Sequence, residues 1–258
     1  MIIKTHAVLL RTFPYSETST VAVWLTEDAG KVTTLIKGAQ RAKSPFIGHL
    51  DLYYTCEILF YERSTRSMHI LKECAPLLFR HRLRHDWRAC AAASYFAYLL
   101  YRVTPDRAHQ TGLYAFLNSG LEYLNRHGAT VSFLFWFELK LLHLLGLAPR
   151  LGTCASCGTT LKPAPSGAVF AVDQGTMQCA DCSGERSTHA HPMPPDIHAI
   201  LSGWQRARTP QLASTARITG TQVAEVSRFL GRFMEYHLEL PRRSRGIALD
   251  LLGRTAVT

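Results

Sequence analysis

Four cysteines stand in two matched pairs, Cys154-Ala-Ser-Cys157 and Cys179-Ala-Asp-Cys182, separated by 21 residues. Each C-x2-C unit can present two thiolates from one tight turn. An intervening hairpin or loop can then bring the pairs together around a tetrahedral metal. Gly158 follows the first pair and Ser183-Gly184 the second, letting the backbone turn so that amide N–H groups point back at the sulfurs. The competing chemistry, redox or disulfide cysteines, accounts less well for two matched pairs. The spacing therefore predicts one structural Zn2+ per chain, held by Cys154, Cys157, Cys179 and Cys182. A four-thiolate site leaves no open position for water or substrate, so such a metal holds structure and does no chemistry.

Other arrangements that could support catalysis fail on spacing. Gly30-Lys31 is followed by Val32 and lacks the upstream glycine of a phosphate-binding P-loop, so nothing suggests intrinsic ATP hydrolysis. A zinc nucleobase deaminase requires H-x-E ahead of P-C-x-x-C. Here the His-x-Glu is His237-Leu238-Glu239, after both cysteine pairs, and no proline precedes either pair. The densest histidines, His189-Ala190-His191, read as loop beside the cysteine module, and no Ser/His/Asp arrangement emerges. The expectation is a protein that is not an enzyme.

The elements that must position the cysteines follow from periodicity. Up to about residue 80 the pattern alternates and predicts strands at Ile2–Phe13, Thr20–Thr26, Lys31–Lys37, Leu50–Tyr61 and Met68–Cys74. Five strands in so short a stretch suggest a small closed barrel, OB-like or SH3-like. Beyond Pro76 the period becomes helical, with helices expected at Arg88–Val103, Thr111–His127 and Thr130–Leu147. The third of these, with Phe133-Leu-Phe-Trp-Phe137, is apolar nearly all round and belongs at the centre of a bundle. Between the cysteine pairs, residues 163–167 read as a loop and Ala168–Val172 as a short strand. Thr219 and Gln222 form a capping box for a helix running to about Leu240. The expected domains are 1–80, a barrel, and 81–258, a helical domain with the cysteine module inserted at about 150–190.

The chain has 258 residues, 47% of them apolar and 19% charged, so it is long enough to bury a core. Its formal net charge is +10, from 29 Lys+Arg against 19 Asp+Glu, which favours polyanionic partners. From Ala29 to Leu50 there is no acid, while Lys31, Lys37, Arg41 and Lys43 fall within that stretch. A barrel face with a basic loop is how OB-type domains track a single strand. The alternative for these four is a solvated strand face. Arg242, Arg243 and Arg245 form a second candidate DNA-binding cluster, equally able to complement a helix dipole or meet an acidic partner. A third group, Arg80-His-Arg-Leu-Arg-His85, can serve as a solvated linker. No secretory signal is visible, because Arg11 interrupts the first apolar stretch. The uncharged run Ala89–Tyr101 is too short to span a bilayer. Cys56, Cys74 and Cys90 fit buried free thiols, so a reducing cytoplasm and no membrane partner are expected.

Four stretches together resemble the RecO family of bacterial DNA repair and recombination mediators. They are Val8-Leu-Leu-Arg-Thr-Phe-Pro-Tyr-Ser-Glu17; Gly30-Lys31 leading to Lys37-Gly-Ala-Gln-Arg-Ala-Lys-Ser44; Phe137-Glu-Leu-Lys-Leu-Leu142 with Leu145-Gly-Leu-Ala-Pro149 before the first cysteine pair; and Ser244-Arg245 after the last long helix. The resemblance implies an α+β chain: an N-terminal OB-fold, then a helical domain with a zinc-binding element. It also implies binding of single- and double-stranded DNA, ATP-independent annealing and assembly with RecR. Displacement of single-strand binding protein (SSB), whose C-terminal tail is a possible contact, would let RecA load; a nucleoid-associated place in the cytoplasm follows. Gln40 stands where the family often has a basic residue, which thins the patch. The runner-up reading is a zinc-stabilised RNA-binding or ribosome-associated module, and a third is a transcription regulator. An RNA binder would stack bases on aromatics, for which Tyr53, Tyr54, Phe60 and Tyr61 are candidates, alternation placing about half of them in the core.

Overall fold

The computed structural model describes residues 1–62, 68–106, 112–162, 164, 166–183 and 190–253. It divides into two compact units, Met1–Gly128 and Ala129–Thr258.

The first unit is built on five strands: β1 (Ile2–Pro14), β2 (Thr20–Thr26), β3 (Lys31–Ile36), β4 (Thr55–Tyr61) and β5 (Met68–Leu78). They close in the order β1-β2-β3-β5-β4, with β3 and β5 parallel and the other pairs antiparallel. This five-stranded closed order decides for the OB-like barrel over the SH3-like one. Closure depends on β1, whose first half pairs with β4 (Ile2–Val8) and whose second half pairs with β2 (Ala7–Pro14). A register shift between Leu9 and Arg11 bends the strand where it changes partner. Trp24 fills the interior and donates its indole N–H to Thr34 Oγ1 at 2.9 Å, so its one polar atom is satisfied.

Two strand boundaries differ from the alternation. β4 begins at Thr55, because Leu50–Tyr54 is turned and Tyr53 sits at φ 68. β5 runs on through Pro76, which lies opposite Cys56 beside a register irregularity where a ladder hydrogen bond is not required. The polar turn expected after Glu62 lies outside the described residues.

Among the described residues three helices complete this unit: α1 (Arg82–His85), α2 (Trp87–Val103) and α3 (Leu113–His127). Asp86 starts α2 by accepting from the Arg88 and Ala89 amides. Thr111, expected to open α3, lies outside the described residues. Arg80 fastens the helices to the barrel. Its guanidinium donates to Thr55 Oγ1 at 3.0 Å, to Asn118 Oδ1 at 2.6 Å and to the Tyr53 carbonyl.

The second unit is organised around α4 (Val131–Leu144), capped by Thr130 through the Phe133 amide. Residues 132–139 are all buried, as an all-round apolar helix requires. The cysteine module follows: β6 (Arg150–Cys154), β7 (Val169–Ala171), β8 (Thr176–Gln178), a 3-10 turn (Ala180–Cys182) and β9 (Ala190–Pro192), in the sheet order β6-β8-β7-β9. Helices resume with α5 (Pro195–Arg206), α6 (Pro210–Ser214), α7 (Gly220–Leu238) and α8 (Arg242–Gly253). The Thr219/Gln222 capping box is present at the start of α7. Among the described residues no helix is long and apolar enough to cross a membrane.

Candidate metal centre and nucleic-acid interface

The two cysteine pairs meet. Cys154 ends β6, and the chain turns back at once, with the Gly158 N–H on the Cys154 carbonyl at 3.0 Å. Gly158 takes φ 74, a conformation that favours glycine. The Ala155 N–H reaches the Met177 carbonyl at 2.8 Å, which holds this knuckle against β8. The second pair is a short 3-10 turn, closed by the Cys182 N–H on the Cys179 carbonyl at 3.2 Å. The four Sγ atoms lie within 4.8 Å of one another, with Cys157 and Cys179 3.8 Å apart. A tetrahedral site with Zn–S bonds of about 2.3 Å puts sulfurs about 3.8 Å apart. The cluster therefore can hold a metal ion, and its donors are those zinc takes. All four are free thiols.

The thiols differ in how readily they ionise. Burial resists ionisation of Cys154, but backbone hydrogen bonds from Cys157, Cys179 and Ser156 outweigh it and lower the thiol to about 6. Cys182, hydrogen-bonded to Cys179 and Cys157, is pushed up to about 12. Four adjacent sulfurs cannot all ionise beside one another without a cation to offset the repulsion.

Of the expected DNA-binding cations, Lys37, Arg41 and Lys43 come together on an exposed loop. Two bonds of the loop's own backbone shape it, Arg41 N–H to the Gly38 carbonyl at 3.2 Å and Ser44 N–H to the Arg41 carbonyl at 2.9 Å, and Gln40 N–H ties it to the Thr18 carbonyl of the β1–β2 connection at 3.0 Å. Gly38 has φ +66, a backbone conformation that favours glycine, while the Arg41 side chain, 3.3 Å from where a Cβ would stand, is exposed and could move aside.

Lys31 and Arg245 are placed elsewhere. Lys31 leaves 11% of its side chain exposed, donates to the Tyr101 carbonyl at 2.9 Å and pairs with Asp106 at 3.3 Å. Arg245 is buried against Glu138. Their charges are used within their own units, by Tyr101 and Asp106 for Lys31 and by Glu138 for Arg245. Arg243 is exposed on α8, and the Arg242 side chain lies outside the described residues.

The third basic group is not a solvated linker. Arg80 is buried, Arg82 holds the Asn125 carbonyl at 2.9 Å, and Arg84 pairs with Asp51 and donates to Tyr54 OH at 2.6 Å. Tyr53, Tyr54 and Phe60 are buried and Tyr61 is exposed. The sequence reasoning passed over Phe13, Phe46 and Ile47, which line a cleft beside the basic loop. No sequence signal singles them out: Ile47, 59% exposed, stands in a loop that also holds Ala39, Ala42, Pro45 and Phe46, and single exposed apolar residues are ordinary on a protein surface. Of the histidines beside the cysteine module, His191 is buried in β9, and His189 lies outside the described residues.

A closed OB-type barrel joined in sequence to a helical unit with a four-thiol module defines a two-unit, cysteine-clasped OB protein. Comparison with known proteins makes the class specific. Residues 1–79 match the family described as Recombination protein O N terminal, and residues 84–246 match Recombination protein O C terminal. The chain belongs to the RecO family. Similar proteins include the DNA repair protein RecO of Rhodopirellula baltica, 30% identical over 80% of this chain and 75% of that one. The RecO of Caldanaerobacter subterraneus is 26% identical over 96% and 98% of the two chains, and that of a Roseiflexus species 28% over 97% and 86%.

Proposed function

We propose that this chain is a DNA-binding recombination mediator in DNA repair. It binds single- and double-stranded DNA, anneals complementary strands without ATP and, together with RecR, promotes loading of RecA onto SSB-coated single strands. The observation that carries this reading is the exposed loop of Lys37, Arg41 and Lys43 on the barrel of a RecO-family chain. Complementary strands repel each other, and a cationic surface that neutralises phosphates lowers that barrier without fuel. No catalytic turnover is part of the role. The SSB C-terminal tail is a further proposed contact, and the setting is the nucleoid in the cytoplasm. One Zn2+ bound by Cys154, Cys157, Cys179 and Cys182 supports the second unit's fold, its four thiolates giving a closed coordination shell.

Burial of Tyr53, Tyr54 and Phe60 weakens the base-stacking RNA-binding alternative built on them. The test is annealing of complementary oligonucleotides by the purified chain in the absence of nucleotide, then on SSB-coated strands with and without RecR. Annealing no faster than in the chain's absence would sink the proposal, and so would ATP hydrolysis that co-purifies with the chain across independent preparations.

A further inference from the structure

The basic loop borders a cleft of about 450 Å³, within the range of about 300–1,000 Å³ common for ligand pockets. Its floor includes Phe46, itself part of the barrel core. Phe13, Pro14 and Ile47 form apolar walls, with Pro14 and Ile47 exposed. Thr12, Thr20, Gln40 and the Arg84–Asp51 pair supply its polar side chains.

These walls sit among cations. Arg11 lies over the Phe13 ring at 4.7 Å, and Arg41 and Lys43 follow Gln40 in the chain. A cleft lined by apolar and polar groups in similar measure, next to a cationic loop, suits a ligand that is flat, neutral and polar-edged at one end and anionic at the other. Asp51 and Arg84 offset each other in the wall, so the cleft itself offers no net charge to an anion, and the uncompensated cations lie on the neighbouring loop. An unpaired nucleotide fits this arrangement: its base is neutral and has an apolar face, and its phosphates extend outward towards Lys37, Arg41 and Lys43.

The geometry points to a base-capture subsite in this cleft, taking one unstacked base of single-stranded DNA against Phe13, Pro14 and Ile47 within reach of the Gln40 amide. This rests on the DNA-binding reading and adds to it a preference for unpaired strands. The basic loop meets phosphates of either form, whereas duplex bases are stacked and paired and cannot enter.

The test compares binding, at one salt concentration, of a thymidine 30-mer and an abasic 30-mer with the same phosphates. The wild-type chain is expected to bind the thymidine strand about tenfold more tightly, in line with the stacking of one base. Ile47→Asn, at an exposed position that cannot unfold the barrel, and Phe13→Ser with Ile47→Asn should remove most of that preference and leave abasic affinity within about twofold. Equal wild-type affinity for both strands, with binding still salt-dependent, would overturn the cleft and leave DNA binding standing. Survival of the preference in both variants would overturn it too. Failure to bind either strand would take down the DNA-binding reading along with it.

Discussion

Arg245 and Glu138 form a two-pronged ion pair inside the second unit, with Nε 2.8 Å from Oε1 and Nη2 3.0 Å from Oε2. Glu138 is fully buried in the middle of the most apolar helix, and Arg245 reaches it from α8. The remaining guanidinium nitrogen donates to Ser227 O and Oγ, both at 2.9 Å. A buried carboxylate costs several kcal/mol to desolvate, and only a partner this well aligned offsets it.

Arg245→Ala should destabilise the chain by about 3–5 kcal/mol, because it removes the aligned guanidinium that offsets the desolvation of the buried Glu138 carboxylate. Pairing Glu138→Leu with Arg245→Met should recover most of that loss. Denaturant unfolding of the single and double variants decides. If Arg245→Ala instead lowered DNA affinity with stability unchanged, the residue would be a binding cation and the ion pair dispensable.

The cysteine module should take up one zinc. Cys157→Ser should retain less than about half an equivalent after purification under reducing conditions, and chelation of the wild type should loosen the module, since binding such a metal is coupled to local folding. Metal content by elemental analysis and proteolysis of the region between β6 and β9 report the two effects. Full retention of zinc by the variant would show that the cluster is not the site.

The loop cations should set the salt dependence of DNA binding. Reversing Lys37, Arg41 and Lys43 together should reduce the log–log salt slope by about two for single strands, at roughly 0.7 per phosphate contact. Lys31→Met should lower stability and leave the slope unchanged, because Lys31 is held by Tyr101 and Asp106. Arg242→Glu with Arg243→Glu is the companion variant. A slope that moves with the α8 pair and not with the loop would transfer the binding face to the helical unit.

His191 should make the second unit acid-sensitive. Burial holds its imidazole below the usual histidine range, and Arg232, whose Nη1 lies 3.5 Å from Nδ1, adds to the effect, as does Arg228; Glu225 opposes them. The folded state therefore resists a proton that the unfolded chain accepts. Stability is complete above the ordinary histidine value of about 6.5 and is lost as pH falls through the lower folded value. Denaturant midpoints between pH 8 and pH 5, for wild type and His191→Gln, should show a smaller acid loss in the variant. Identical pH profiles would refute the assignment.

The sequence alone determined whatever depends on neighbours within a few residues. Alternation marked all five barrel strands, the pair spacing marked the four thiols, and Thr219 with Gln222 marked a helix start, because pleat, knuckle and cap are each closed by local geometry. Closure of the strands as β1-β2-β3-β5-β4 was beyond its reach, since it depends on a parallel pairing between strands distant in the chain. So was the sorting of the cations. Lys37, Arg41 and Lys43 belong to one self-bonded loop, and their acid-free surroundings could be read directly. Whether Lys31 and Arg245 face water depends on Tyr101 and Asp106 for one and on Glu138, 107 residues away, for the other. A positive charge in a sequence has the same weight wherever it stands. Its partner, and so its availability to a phosphate, is settled only when folding brings distant segments into contact.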